Sequence, residues 1–337
     1  MSEHIALFAV GLLLLAAGAG CLVFGAARLD RATGRSAFAV GVVAVGVGPC
    51  VAGLAFDLAV VLRAPPAPPA EAQTVEVVRV RTATRLLTGN ALGNVVGSNI
   101  ASIGLVLGLA ALARPVAASA KLFATVVPLA GVATLLFWFL AADKSISRVD
   151  GGILLAALAG AIVLLVRAVR QEPDVGKEAF AAWVPERFPL WLAVVLALLG
   201  AAGLVGGAML AGAKMIEATR ALRTGTFVTG ATFAAVGVSL PAAVAAVLAA
   251  RRGRSDLVLG LVVGPMLFNL LLVVGAVALV EPITITEHAI LNEIPAMAVF
   301  SLLLVPPLVN GYRVPRWEGA LLLVVYAGFI LWQARKA

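Results

Sequence analysis

The sequence predicts an all-α polytopic membrane protein, and its composition and its hydropathy pattern are the reasons. Of the 337 residues, 62% are hydrophobic and 12% are charged. The mean hydropathy of +1.08 lies far outside the range of soluble domains. Apolar stretches of about 20 residues or more recur along the whole chain, and each is long enough to cross a bilayer as a helix. They leave no room for a soluble domain of useful size.

About ten transmembrane helices are expected, in two inverted repeats of five. The apolar stretches lie at residues 5–27, 37–62, 86–112, 119–142, 151–169, 189–215, 225–250, 256–280, 288–310 and 315–334. The first repeat is expected at residues 1–170 and the second at 189–337, joined by a charged cytoplasmic linker at 171–188. An odd number of spans in each half makes two copies of one unit cross the membrane in opposite directions.

Internal repetition supports this division. Gly46 aligns with Gly237 at an offset of 191 residues, and Gly97 aligns with Gly264 at an offset of 167. A proline-rich insertion in the first half, which begins near residue 64, accounts for the difference between the offsets. Matched helices of inverted repeats meet near the middle of the membrane, where such folds place their binding sites.

The charge pattern favours a membrane surface over nucleic acid as a partner. The formal net charge is +8, and the basic residues are spread over short loops rather than gathered in one patch. The expected partners are the lipid bilayer and small inorganic cations, with no nucleic acid. Cys21 and Cys50 are too few to form a disulfide framework.

Residues 86–113 combine an apolar background with polar side chains that lipid would penalise. The stretch contains no Asp, Glu, Lys or Arg, and its polar side chains include Asn94, Ser98 and Ser102, which recur every four residues and share one helical face. An unpartnered amide or hydroxyl in lipid costs on the order of several kcal/mol, so this face looks into protein, water or a bound ion. Spacing alone leaves two interpretations open: a face for close helix packing and an oxygen-lined cation site.

The motif Gly-Asn-Val-Val-Gly-Ser-Asn-Ile at residues 93–100, followed by a small residue, resembles the signature of the cation/calcium antiporter superfamily, the sodium/calcium exchanger membrane domain. The resemblance implies secondary active antiport by alternating access around a midplane site. That site would be built from the second, third, seventh and eighth spans. The resemblance also implies a multi-pass protein of the plasma membrane with both termini outside.

The acidic residues that the family uses to bind Ca²⁺ are substituted in this chain. The family carries a glutamate on the second helix of each repeat, and the matched positions are Val51 and Ala242. By matched position, the implied ion-binding groups are Ser98, Ser102, Ser239 and Asn269, with Asn94 and Asn99 beside them and the backbone carbonyls of Ala44 and Ala235. Neutral oxygens suit Na⁺ or a proton-linked species better than Ca²⁺, because calcium sites normally recruit carboxylates.

Asp57 is an isolated carboxylate within the predicted second span. A charged side chain within the membrane is costly and usually marks a functional site, so Asp57 is a candidate ion or proton carrier. It lies six residues beyond Val51, a rotation of about 240° around a helix, so it does not simply replace the missing glutamate. A position beside a water-filled vestibule, or an ion pair with a basic residue, is an equally open interpretation.

Three glutamates, Glu281, Glu287 and Glu293, flank the junction between the predicted eighth and ninth spans. They could concentrate cations at the outer mouth of a pathway, but solvated loop positions are the favoured interpretation. His288 lies among them and is expected to be isolated near the membrane surface, in a structural role.

The predicted function is Na⁺- or H⁺-coupled cation antiport of the sodium/calcium exchanger type. The alternative is a degenerate, non-transporting homologue that acts as a membrane scaffold or regulatory protein. Loss of both glutamates, together with Pro265 and Met266 in the second copy of the signature, favours that alternative. An enzyme is not expected, because the chain contains no HExxH or GxSxG motif. No cofactor is expected, and the transported cation is Na⁺, H⁺ or Ca²⁺.

Overall fold

A computed structural model describes residues 2–33, 54, 91–117, 120–170, 188–222, 231–232, 235–251, 253 and 255–336. Almost all of these residues are helical, as the hydropathy pattern predicts. The main helices are α1 (Ser2–Thr33), α2 (Ala91–Ala113), α3 (Ala120–Leu140), α4 (Arg148–Arg170), α5 (Leu190–Leu222), α6 (Ala235–Arg251), α7 (255–280), α8 (Ala289–Leu302) and α9 (Arg316–Lys336). The predicted second span, apart from Leu54, lies outside the described residues.

Two of the described helices form the centre of the molecule. By length and composition, four described segments can cross a bilayer: Ala91–Ala113 in α2, Phe123–Asp143 from α3, Arg148–Leu165 in α4 and Val258–Val280 in α7. In α2 and α7, 83% of the apolar segment is buried within the protein, against 39% for the α3 segment and 28% for α4. We therefore assign α2 and α7 to the core, and α3 and α4 to its lipid-facing side.

The predicted ninth span is interrupted. The sequence predicts one continuous helix over residues 288–310, whereas the structure has a break. Helix α8 ends at Leu302, and a separate short helix runs from Pro306 to Val309. The N–H groups of Leu303 and Leu304 close a tighter turn by donating to Phe300 O at 3.0 Å and Ser301 O at 3.2 Å. Pro306 has no N–H to donate, so the α-helical bond pattern does not continue through it.

Two short antiparallel ribbons connect the halves of the chain. Strand β1 (Val116–Ala117) pairs with β4 (Arg313–Val314), and β2 (Ser145–Ile146) pairs with β3 (Ile283–Thr284). Helix α3 begins directly after β1 and ends just before β2, so the ribbons lie at opposite ends of α3. Each ribbon therefore ties a segment of the first half to a segment of the second half.

Two pairs of glycines bring helices together at matched places. A Cβ atom on Gly108 of α2 would lie 3.1 Å from the carbonyl oxygen of Gly319 in α9. A Cβ atom on Gly275 of α7 would lie 3.1 Å from the carbonyl oxygen of Gly151 in α4. Gly108 and Gly275 are 167 residues apart, the offset that aligns the two halves in sequence. The same small-residue contact therefore recurs at both central helices.

Candidate functional site

The polar side chains of α2 and α7 meet in the core. Asn269 of α7 donates its amide Nδ2 to Ser98 Oγ at 2.8 Å and to Asn99 Oδ1 at 3.1 Å. All three side chains are buried. Two central helices thus bring hydroxyl and amide groups together inside an otherwise apolar core, and Ser98 and Asn269 are the two predicted ligands that meet there.

The serines of α2 direct their hydroxyl hydrogens to the backbone of their own helix. Ser98 Oγ donates to Val95 O at 3.1 Å, and Ser102 Oγ donates to Ser98 O at 2.8 Å. A hydroxyl that donates to its own helix keeps its oxygen lone pairs for other partners. Ser98 therefore presents acceptor capacity toward α7, which is the property that a cation ligand needs.

Both central helices contain a π-helical segment at this point, which sequence reasoning missed. The segments are Ser102–Leu107 in α2 and Asn269–Val273 in α7, and they begin 167 residues apart. A π-helical turn shifts the backbone hydrogen bonds by one residue and is frequent at functional sites. Hydropathy does not reveal such a turn, because the apolar composition of the helix is unchanged.

Helix α8 also reaches this group, through a residue that the sequence did not single out. Asn99 Nδ2 lies 3.5 Å from the sulfur of Met297, within reach of a weak hydrogen bond. The predicted site used the second, third, seventh and eighth spans, whereas α8 corresponds to the predicted ninth span. Sequence spacing gives no signal that identifies Met297, because Asn99 and Met297 are 198 residues apart.

The remaining predicted ligands are either buried in α2 and α6 or lie beyond the described part of the chain. Ser239 and Ala235 are buried in α6, and no hydrogen bond between described residues joins Ser239 to Ser98 or Asn269. Asn94 is buried one turn before Ser98. Asp57 and the carbonyl of Ala44, like Val51, lie outside the described residues.

The surroundings of Ser98 contain features of helix packing as well. Gly97 lies directly against the backbone of Ala231, where a Cβ atom would overlap the Ala231 carbonyl. Ala242, at the position matched to the family glutamate, is buried in α6. Among the described residues, no group of three or more His, Cys, Asp or Glu side chains could hold a metal ion. Ser98, Asn99 and Asn269 themselves offer only uncharged hydroxyl and amide groups.

The solvated-loop interpretation of Glu293 is wrong. Its side chain has 0% exposure, and it contacts His288 and Gln333. His288 is correspondingly not isolated. Glu287, by contrast, is exposed and forms a surface ion pair with Lys144 at 3.1 Å. Glu293 is buried because α8 begins before it and directs its side chain toward α9. A charged stretch at the start of a helix does not predict this placement.

Comparisons with known proteins match the whole length of the chain. The sequence model of a family described as sodium/calcium exchanger protein matches residues 3–167 and 192–335. CaxA of Alkalimonas amylolytica is 29% identical over 325 residues, which are 95% of this chain and 95% of CaxA. The inner membrane protein YrbG of Escherichia coli (strain K12) is 27% identical over 338 residues, which are 98% of this chain and 95% of YrbG.

A solved structure agrees with this result. The sodium-calcium exchanger NCX_Mj, soaked with Na⁺ and Sr²⁺, has a TM-score of 0.64 to this chain at 25% sequence identity. The alignment covers 97% of this chain and 97% of NCX_Mj. The two proteins therefore share one overall fold.

Proposed function

This chain belongs to the sodium/calcium exchanger protein family, and on that premise we propose that it is a secondary active cation antiporter coupled to Na⁺ or H⁺. The relative NCX_Mj is named a sodium-calcium exchanger and the relative YrbG an inner membrane protein. The first name supports exchange and the second supports an integral membrane protein, and the plasma membrane is the proposed location. The cation crosses by alternating access around a site between α2 and α7.

One observation carries this proposal: Asn269 joins Ser98 and Asn99 across the two central helices. Polar side chains in the core of a membrane protein are costly unless they serve a pathway or a packing contact. Here Asn269 begins one π-helical segment, and Ser98 and Asn99 lie in the turn before the other, which begins at Ser102. Locally altered backbone at membrane depth is typical of transporter sites.

The neutrality of the group favours a monovalent cation or a proton as cargo. Ca²⁺ takes six to eight oxygen ligands and is usually held by carboxylates, whereas Ser98, Asn99 and Asn269 provide hydroxyl and amide groups. In the described state Asn269 directs its Nδ2 at the other two side chains. A half-turn of the Asn269 amide would place Oδ1 there instead, so the same three side chains can offer oxygens to a cation.

The two inverted five-helix repeats, at residues 1–170 and 189–337 with a linker at 171–188, are part of this proposal. The glycine contacts support them, because Gly108 of α2 meets α9 as Gly275 of α7 meets α4. The ribbons support them too: the strand that follows α2 pairs with the strand that precedes α9, and the strand that follows α7 pairs with the strand that precedes α4. A pseudo-twofold axis between the halves would produce both patterns.

A non-transporting homologue is the second candidate, and the hydrogen bonding gives it specific support. Ser98 and Asn99 accept from Asn269 directly, so the two helices satisfy one another without a cation. Interhelical hydrogen bonds of this type also serve purely to hold helices together. The scaffold or regulatory role thus rests on the same contacts as the transport role.

Flux measurements separate the two candidates. Purified protein in proteoliposomes would be given gradients of Na⁺, K⁺, Ca²⁺ and pH in turn. We expect flux driven by the Na⁺ or pH gradient, and a large loss of flux in Ser98→Ala. Thr134→Val is the matched control, because Thr134 is also a buried hydroxyl, 3.3 Å from Ser301 Oγ and apart from Ser98 and Asn269. Flux under none of the gradients would contradict transport and support the scaffold.

A further inference from the structure

A second buried polar group lies where α8 begins. The Glu293 side chain has 0% exposure, and its Oε1 accepts a hydrogen bond from Gln333 Nε2 of α9 at 3.2 Å. The same Oε1 is 2.9 Å from Nδ1 of His288, whose side chain is 47% exposed. The group therefore connects a carboxyl that bulk solvent does not reach with a ring that bulk solvent does reach.

Two oxygen atoms of this group have no hydrogen-bond partner among the described residues. They are Glu293 Oε2 and Gln333 Oε1, and both belong to side chains with 0% exposure. An ionised carboxylate and an amide carbonyl can only accept hydrogen bonds. Buried acceptors of this kind are costly unless a donor or a positive charge satisfies them.

We propose that Glu293 is a proton-binding site, in which Gln333 holds the carboxyl and His288 passes the proton between solvent and Glu293. A proton on Oε2 turns that atom into a donor. The resulting carboxylic acid is complementary to a carboxamide, because it can donate to Gln333 Oε1 while its Oε1 still accepts from Nε2. Protonation also removes the charge that burial penalises.

A metal cation fits this group less well than a proton does. Na⁺ and Ca²⁺ are held by several converging oxygens, and the described residues here offer two free acceptors, Glu293 Oε2 and Gln333 Oε1. His288 Nδ1 occupies the other side of the carboxyl as a hydrogen-bond donor. A donor in that place repels a metal ion but can transfer a proton.

The transfer through His288 is balanced. The imidazole takes a proton from hydronium at Nε2 and releases its Nδ1 proton to Oε1 of the Glu293 carboxylate, the oxygen it contacts at 2.9 Å. A half-turn of the carboxyl group then exchanges its two oxygens and places the protonated one opposite Gln333 Oε1. The ring is neutral before and after, and one proton has moved from solvent to the carboxyl. Trp332 stacks on the His288 ring, with centroids 6.5 Å apart and planes 20° from parallel, which holds the ring in place.

The charged groups around Glu293 leave His288 as its main electrostatic partner. Gln333 and Trp332 of α9 are uncharged, and Arg335 of the same helix is exposed. Helices α2 and α3 also pack against α8. Helix α2 has no ionisable acidic or basic side chain, and Lys121, the one such residue in α3, is at the far end of that helix from β2. Glu287 and Lys144 pair with each other at the surface.

The proton site has a direct structural connection to Asn99. Glu293 ends the π-helical segment Ala289–Glu293, and Met297, one turn further along α8, contacts the Asn99 amide at 3.5 Å. A change in the first turn of α8 can therefore reach the Ser98–Asn269 group. This link to cation exchange rests on the proposed function, whereas proton binding by Glu293 does not.

Infrared difference spectroscopy of the purified protein tests proton binding without requiring transport. The carbonyl band of a protonated carboxylic acid should appear as pH is lowered in the wild type and in Glu287→Gln, the exposed control. It should be lost in Glu293→Gln and shifted in Glu293→Asp, which keeps a carboxyl if Glu293→Gln fails to fold. A band that persists unchanged in Glu293→Gln, or a Glu293 signal that responds to Na⁺, K⁺ or Ca²⁺ and not to pH, would overturn the proposal.

The role of His288 has its own measurement. After a rapid pH change, His288→Gln should delay the appearance of the Glu293 band while leaving its final amplitude nearly unchanged. An unchanged rate would remove His288 from the route. If proteoliposomes show no flux but the pH-dependent Glu293 band is present, the antiport proposal fails and the proton site stands. If flux is present but the band is absent, the antiport proposal stands and the proton site fails.

Discussion

Asn269 of α7 and Ser98 of α2 are 171 residues apart in the chain, and their side chains form a 2.8 Å hydrogen bond in the core. The amide also reaches Asn99, so one side chain connects to two consecutive residues of the facing helix. An amide that holds two acceptors of another helix fixes the spacing between the helices. It therefore controls both the stability of the core and the shape of any cation path through it.

Replacing Asn269 with leucine should reduce both stability and transport. Leucine keeps the approximate volume but leaves Ser98 Oγ and Asn99 Oδ1 without their donor, which costs about 1–3 kcal/mol for a buried group. An equal loss in cation binding corresponds to about a 5- to 150-fold loss of affinity. Thermal unfolding in detergent and cation flux in proteoliposomes measure the two effects. A variant with full flux and unchanged stability would show that the contact is dispensable.

The glycine contacts predict a symmetric pattern of destabilisation. In Gly108→Ala the new methyl would meet Leu323 Cγ at 2.9 Å, and in Gly275→Ala it would meet Leu155 Cγ at 3.0 Å. Overpacking of this kind costs about 1–3 kcal/mol, so both variants should unfold at lower temperature.

Gly160→Ala is the matched control for these variants. Gly160 is helical, and an added Cβ would meet nothing within 4 Å. Alanine there should raise stability by about 0.5–1 kcal/mol, because glycine is the poorer helix former. Equal behaviour of Gly108→Ala and Gly160→Ala would mean that the contact between α2 and α9 is looser than described.

Sequence reasoning could predict the helical class and the equivalent positions of Ser102 and Asn269 in the two halves, because both depend on patterns along the chain. Apolar length predicts spans, and the 167-residue offset places Ser102 and Asn269 at equivalent positions. The structure places the starts of both π-helical segments at these two residues. The π geometry itself was not predictable, since it arises from how the helices pack and not from local composition.

Contacts between distant residues set the limit of the sequence argument. Glu293 and Gln333 are 40 residues apart, and Asn99 and Met297 are 198 apart. No periodicity relates such residues, and a glutamate at the start of a helix is usually solvated. Only the approach of α8 to α9 and α2 distinguishes buried Glu293 from exposed Glu287.

Asp57 provides a test of the carrier hypothesis that the sequence raises. If Asp57 carries an ion or a proton, Asp57→Asn should abolish flux, because the amide keeps the shape of the side chain but not its charge. Asp143→Asn is the control, since Asp143 is exposed and accepts a hydrogen bond from the Ser145 N–H at 2.9 Å. Unchanged flux in Asp57→Asn proteoliposomes would reject the carrier role.

Restoring a carboxylate to α6 should create a response to Ca²⁺. Ala242 is 3% exposed and occupies the position matched to the family glutamate. In Ala242→Glu a buried charge should lower stability without Ca²⁺, because its desolvation is uncompensated. Bound Ca²⁺ should restore stability by about 2.7 kcal/mol at a concentration one hundred times the dissociation constant. Thermal unfolding with and without Ca²⁺ measures this difference.

Ala243→Glu separates a specific site from a general effect of a buried carboxylate. Ala243 is also 3% exposed, but it points about 100° away around the same helix. It should show the loss of stability without the recovery by Ca²⁺. If Ca²⁺ stabilised both variants equally, the ion would be binding to a displaced carboxylate rather than to a site shared with Ser98 and Asn269. Recovery in Ala242→Glu alone would mean that the neutral core of this chain is a calcium site from which the acidic ligand has been removed.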